Sequence, residues 1–228
     1  MIAPGIFLVM FYFLIAMFGN QMLTSTTEEK ENRITEMILT TIEAKTLIIG
    51  KILSLILLAF IQVMIILVPV IIGYVFFREQ LALPNLDLSN IPLNPVPIAI
   101  GAGIFICSFL LFTGILVAVG AIAPTAKEAG SFFGVIMIAI FGPLYAVSLF
   151  ISAPESTLVK VLTFFPLTAP IPLLLRNAVG NLSLTDSFIG IAILLVSAAI
   201  VMSVAIRLFH YGVLAYSNRI KLNVLVNK

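Results

Sequence analysis

Residues 98–123 read IAIGAGIFICSFLLFTGILVAVGAIA, a run with no Asp, Glu, Lys or Arg. A helix rises about 1.5 Å per residue and the hydrocarbon core of a bilayer is roughly 30 Å thick, so about 20 such residues cross it. Working outward, four further stretches pass the same test, at 2–23, 52–76, 131–152 and 188–209. Those at 2–23 and 131–152 are also free of charge, and in 188–209 Arg207 sits at the far end with His210 just beyond. A β-barrel is excluded, because its strands are about 10 residues long and alternate polar with apolar, whereas these runs are apolar on all sides. The predicted fold is all-α, an integral membrane helical bundle forming one domain over 1–228.

Composition agrees. Hydrophobic residues fill 61% of 228 positions and charged residues 10%, against about 25% charged in a soluble domain. Residues 1–23 do not suit a signal peptide, which needs positive charge ahead of its apolar core; none precedes Gly5-Ile6-Phe7, and the run ends at Asn20-Gln21. The single Cys107 lies inside a span and has no disulfide partner. The net charge of +2 carries no sign of nucleic-acid binding.

Orientation follows from where Lys and Arg fall in the connections. Segments 24–51, 124–130 and 207–228 hold Lys30, Arg33, Lys45, Lys51, Lys127, Arg207, Arg219, Lys221 and Lys228; the other side holds Arg78, Lys160 and Arg176. The bias predicts a plasma-membrane protein with the C-terminus cytoplasmic and the N-terminus outside. Residues 78–97, with Pro84, Pro92, Pro95 and Pro97, read as an extended external loop. Segment 154–187 is apolar but interrupted by Pro166, Pro170 and Pro172. It predicts two short helices, near 157–165 and 169–179, re-entering the outer leaflet; the alternative is a loop lying on the interface. Pro69 and Pro143 should kink their spans.

The charged connection 24–51 carries the most information. Thr26 and Glu29 have capping-box spacing, and Glu28, Glu29 and Glu31 suit the positive end of a helix dipole. Glu29 and Arg33 are spaced for a surface pair. Apolar Ile34, Met37, Ile38 and Ile42 then recur at helical spacing, opposite Glu29, Arg33, Glu36 and Glu43. This predicts an amphipathic cytoplasmic helix that rests on the membrane interface or fills a groove on a partner, or else a solvated extension of the first span.

The succession Glu28-Glu29-Lys30-Glu31-Asn32-Arg33, Glu36-Met37-Ile38-Leu39 and Gly50-Lys51 resembles the permease subunits of type-2 ABC exporters, most closely the sodium-efflux branch. Pro124-Thr125-Ala126-Lys127-Glu128-Ala129 is similar to that family's short cytoplasmic turn. Phe165-Pro166 with Pro170 and Arg176 resembles its external re-entrant segment. The ordered set covers nearly the whole chain. One departure is Thr41-Ile42-Glu43-Ala44, where the family often has a proline. The resemblance implies a permease paired with a second copy or a similar chain and docked on cytoplasmic ABC ATPase subunits. It implies a docking face of Glu28, Glu29, Glu31, Arg33, Glu36, Lys127 and Glu128. It also implies that Met1 begins a truncated, split or fragmentary permease lacking the usual first span and external domain, or else that a partner chain supplies the missing span.

An ATP-cradling loop needs Gly-x-x-x-x-Gly-Lys-Ser/Thr. Gly50-Lys51 is followed by Ile52 and preceded at position 45 by Lys, so the match fails. The chain is not read as an enzyme; ATP and Mg belong to the partner, and no cofactor is expected here. The lone His210 reads as an interfacial residue, not a metal ligand. Ser131, Ser148, Ser152 and Ser197 read as helix-packing groups. Gln62, within a span, either lines a path or pairs with a neighbouring helix, and Arg176 is a second candidate for the translocation path. The spans otherwise hold almost no ionisable groups, which argues against a proton-coupled secondary transporter. A secondary transporter or channel subunit and a non-transporting membrane assembly factor are the competing classes. Sequence does not choose among sodium, drug, lipid or peptide cargo.

Overall fold

The computed structural model describes residues 2–31 and 94–214 continuously. Between them it describes positions 38, 41–43, 46, 47, 49, 50, 53, 54, 57, 58, 61, 62, 64, 65, 68, 69, 72 and 76. Among the described residues the fold is all helical. Helix α1 is Ile2–Glu31, α2 is Pro95–Ile122 and α3 is Ala126–Phe141. A 3-10 turn at Gly142–Ala146 joins α3 to α4, Val147–Ser152. Two short helices follow, α5 at Thr157–Phe164 and α6 at Pro170–Val179, and α7 is Leu184–Leu214. Among the described residues, four helical stretches are long and apolar enough to cross a membrane: Pro4–Glu28, Pro95–Ile122, Ala126–Ser152 and Leu184–Leu208. They overlie four of the five expected spans. The fifth, 52–76, falls about half outside the described residues, and its described positions are helical.

Three ring and hydroxyl contacts fix the directions of α1 and α2. Phe7 meets Phe105 at 6.1 Å and Phe11 meets Phe112 at 6.0 Å between ring centroids, while Thr27 reaches Gly120. The two helices therefore run parallel. Helix α7 runs the same way along the other side of α2, with Gly103 beside Ile191, Gly114 beside Val201, and Val117 and Ala121 clustered with Ala205 and Leu208. Helix α3 runs opposite, with Phe133 against Gly19 and Phe141 against Tyr12 at 4.9 Å. Helix α2 is the buried centre, and Ile104, Phe112, Leu116 and Val117 are wholly inaccessible. The outer faces are as apolar as the core: Phe132, Val135 and Ile138 on α3 and Phe188, Val196 and Ile200 on α7 are exposed. An apolar surface of that extent is stable only against another apolar medium, and lipid supplies it.

Several helix ends differ from the sequence expectation. The capping box at Thr26 does not form. An N-cap residue must leave helical geometry, and α1 passes through Thr26 without a break to Glu31. The hydroxyls of Thr24, Thr26 and Thr27 instead donate to the carbonyls of Asn20, Met22 and Leu23, at 2.9, 3.1 and 3.2 Å. Back-bonding of this kind satisfies the hydroxyls of a polar Thr-Ser-Thr-Thr run within the helix, in an apolar setting. The amphipathic helix is thus, as far as Glu31, an extension of the first span; Arg33, Ile34, Glu36 and Met37 lie outside the described residues.

Pro95 and Pro97 belong to helix, not to the loop assigned to 78–97. Asn94 caps α2, its Oδ1 accepting from the Val96 N–H at 3.1 Å, and both prolines fall in the first turn, where a missing N–H costs nothing. Residues 78–93 lie outside the described set. The chain leaves α2 at Ala123, held extended (φ −58°, ψ 133°) by Pro124 after it. Pro143 interrupts its span as expected, with the helix tightening to 3-10 geometry at Gly142–Ala146.

Candidate functional site

The end of the bundle that carries the charged connection is built on one close crossing. A Cβ placed on Gly120 would lie 2.6 Å from the Leu23 carbonyl oxygen and 3.0 Å from Thr26 Cβ. Only glycine lets α1 and α2 approach so closely, in the manner of small-residue interfaces between membrane helices. The Thr27 hydroxyl, wholly buried, lies 3.1 Å from the Gly120 carbonyl as well as 3.2 Å from that of Leu23. One residue beyond this joint, Glu28 is exposed. Glu29 and Glu31 continue the same helix, whereas Arg33 and Glu36 lie outside the described residues.

Helix α3 begins at this same end. Thr125 is its cap, with Oγ1 accepting from the Glu128 N–H at 3.3 Å, and Glu128 stands at the third helical position, where a carboxylate suits the dipole. Lys127 and Glu128 are both exposed. The structure therefore brings Glu28, Lys127 and Glu128 to one end, on the first turns beyond an α1–α2 joint. Farther along the charged connection, the Ile38 carbonyl accepts from the Thr41 and Ile42 N–H groups, each at 3.0 Å, and from the Thr41 hydroxyl at 2.9 Å. That closes a helical turn at the position where the resembling family often has proline. Gly120, Thr27 and the capping role of Thr125 escaped the sequence reading. Thr125 had a visible signal, a Thr-x-x-Glu directly after Pro124; Gly120 and Thr27 had none, since their partnership joins residues 93 apart.

At the opposite end α6 is drawn into the bundle. Seven of its ten residues are buried, from Pro170 and Ile171 through Arg176 and Asn177. It is therefore not a loop lying free on a surface. Asn177 donates from Nδ2 to the Pro97 carbonyl at 2.9 Å, tying α6 to the first turn of α2. Arg176 is only 1% exposed. Its Nη2 lies 3.2 Å from Asp186 Oδ2 in the first turn of α7 and 3.3 Å from the Asn181 carbonyl; Nη1 lies 3.5 Å from Thr163 Oγ1 on α5. Asn181 in turn donates to the Phe150 carbonyl of α4 at 2.7 Å. Nearby, in the α4–α5 connection, Glu155 pairs with Lys160 at 2.8 Å, and that ammonium holds the carboxyl below its ordinary pKa. Gln62, the other candidate for the path, is a half-buried helical position. Among the described residues no cluster of three His, Cys, Asp or Glu stands ready to hold a metal.

Comparison with known proteins gives this geometry a context. The family model described as "ABC-2 family transporter protein" matches residues 2–207. An uncharacterized protein of Methanocaldococcus jannaschii is 28% identical over 223 residues, covering 96% of this chain and 52% of its own length. The chain thus spans about half the length of that curated relative. No solved structure matches the chain.

Proposed function

The chain belongs to the ABC-2 transporter family, whose members are the membrane-spanning permease components of ABC transporters, and on that footing we propose that it is the permease subunit of an exporter driven by separate ATPase subunits. One observation carries the reading. Helix α1 runs unbroken from a membrane-crossing segment into the charged run, and exposed Glu28, Lys127 and Glu128 gather at that end beside a glycine-tight joint with α2. Positive charge in the connections makes this end cytoplasmic and puts the N-terminus outside the plasma membrane.

The proposed docking face is Glu28, Glu29, Glu31, Arg33 and Glu36 on the charged connection, with Lys127 and Glu128 at the start of α3. ATP and Mg are bound by the docked subunits. When two such subunits close on ATP, the docked segment is displaced. Because α1 is one rigid rod and is locked to α2 at Gly120 and Thr27, the displacement passes to α2, and from α2 along its shared face to α7. Rigid-body motion of this sort is a standard switching device, since packed interfaces rearrange between discrete states without deforming continuously. A second copy or a similar chain completes the pathway, with Gln62 a candidate lining residue. The sodium-efflux branch is the proposed placement within the family, on the strength of the Glu28–Arg33 run.

The test is reconstitution of the tagged full-length protein with the P-loop ATPase that co-purifies with it. Arg33→Glu should abolish ATP-driven export while the variant keeps its helical content and elution volume. Full export by that variant removes Arg33 from the docking face. A stable complex without any nucleotidase, transporting down an ion gradient, refutes the ABC mechanism.

A further inference from the structure

We propose that α6 is a latched plug at the end of the bundle opposite the charged connection, and that Arg176 is the residue that latches it. The seat comes first. Helix α6 packs against a glycine on each of the three parallel helices. A Cβ on Gly5 of α1 would touch Ala178 at 3.8 Å, one on Gly101 of α2 would stand 3.0 Å from Asn177 Nδ2, and one on Gly190 of α7 would stand 2.7 Å from Leu173. Side chains of α6 therefore enter notches in α2 and α7 and touch α1 at once, toward the N-terminal ends of those helices. A helix of ten residues, begun by prolines at its first and third positions and stopped by Gly180 in left-handed geometry (φ 85°), is not a helical continuation of any of them.

The latch is chemically distinct from the seat. Leu173 and Ile171 hold α6 by packing, which is indifferent to charge. Arg176 places a guanidinium at 1% exposure and meets Asp186, an acid on α7, and Thr163, a hydroxyl on α5. Burying a charge is costly, and a buried pair commonly holds no better than apolar residues of the same volume would; breaking it from one side is what destabilises strongly. Such a contact adds little over an apolar one while it is intact, but its loss from one side frees the plug. Asp186 is itself held in place: Ser183 caps α7, its Oγ accepting from the Asp186 N–H at 3.0 Å. Among the described residues Arg176 Nε and Asn181 Oδ1 are buried without a hydrogen-bond partner, so the latch is also incompletely satisfied there. That weakens the closed state relative to a fully bonded one.

The latch is separable from the transport reading, because it is tested on the full chain alone in nanodiscs, with neither ATPase nor substrate. Cys107 is replaced by Ala and a reporter, Leu174→Cys, is placed on the buried face of α6; a control carries Leu116→Cys at the centre of α2. Reaction of a buried thiol with a soluble maleimide proceeds through the released form, so its rate reads the released population. Asp186→Asn, which leaves the bulk of the pair in place, should speed labelling at 174 by at least about tenfold and leave labelling at 116 unchanged. Exchanging the charges, Arg176→Asp with Asp186→Arg, should recover slow labelling relative to Arg176→Asp alone. If Arg176→Asp does not fold, Thr163→Val together with Asp186→Asn replaces it, and should label faster than Asp186→Asn. Unchanged labelling at 174 in Asp186→Asn overturns the latch. Equal acceleration at 174 and 116 also overturns it, since the pair would then support the whole bundle and not the plug.

Discussion

Replacing Gly120 by Ala tests the joint on which the coupling mechanism depends. The added Cβ would sit 2.6 Å from the Leu23 carbonyl oxygen. A C–H···O contact settles at about 3.3–3.6 Å, so α1 and α2 must separate by roughly 0.7 Å. The obstructing atom is backbone and has no rotamer to escape into. Overpacking of this sort costs about 1–3 kcal/mol. Separation also stretches the bond from Thr27 to the Gly120 carbonyl, now at 3.1 Å, and interhelical bonds in membranes average about 0.6 kcal/mol. Against this, Ala is favoured over Gly inside a helix by up to about 1 kcal/mol. The net expectation is a loss of about 1–2 kcal/mol. Gly134→Ala on α3 is the matched control: its Cβ meets nothing within 4 Å among the described residues, so only the helix-propensity gain remains. The assay is reversible unfolding of both variants in mixed micelles by SDS titration, followed by circular dichroism. Opposite shifts of the midpoint are expected, down for Gly120→Ala and up for Gly134→Ala. Equal shifts, or a stabilised Gly120→Ala, would refute the close crossing and with it the proposed transfer of motion from α1 to α2.

Two further perturbations follow from helix ends. Thr125→Ala removes the cap of α3 and should cost about 1 kcal/mol; hydrogen exchange should quicken at residues 126–129, and unchanged exchange there would mean that the 3.3 Å contact to the Glu128 N–H does not hold the turn. Gly180→Ala forces a side chain into left-handed backbone at φ 85° and should cost about 1–2 kcal/mol. The thermal midpoint should fall for Ala and fall less for Asn, and identical midpoints would refute the turn geometry.

What could be read from sequence, and what could not, divides along the range of the interactions. The crossing segments were legible because the solvent acts on each residue separately: an apolar run such as 98–123 declares its environment without reference to any other part of the chain. The helix ends were legible only in part. Thr-x-x-Glu occurs at Thr26–Glu29 and again at Thr125–Glu128, and local chemistry alone ranks these two equally. What separates them is the residue before: Pro124 has already ended a helix, so Thr125 is free to start the next, whereas Thr26 is carried along by the apolar turns preceding it and bonds backward to Met22. The prolines at 95 and 97 misled for the related reason that proline stops a helix from inside but starts one from its first turn.

The pairings that matter most were invisible because they are non-local, yet they are not equally so. Thr27 and Gly120 meet only because two spans run parallel, which no pattern within either span encodes. Arg176 and Asp186 are ten residues apart, and the intervening Gly180 and Ser183 are a helix stop and a helix start. A stop followed so closely by a start folds the second helix back beside the first, which brings a cation in the last turn of one toward an acid in the first turn of the next. Arg176 was therefore a partner-seeking charge whose partner could be found by following turn chemistry. Its burial then follows from the apolar company of α6: a lone guanidinium in that setting is untenable, and a paired one fixes where α6 must lie.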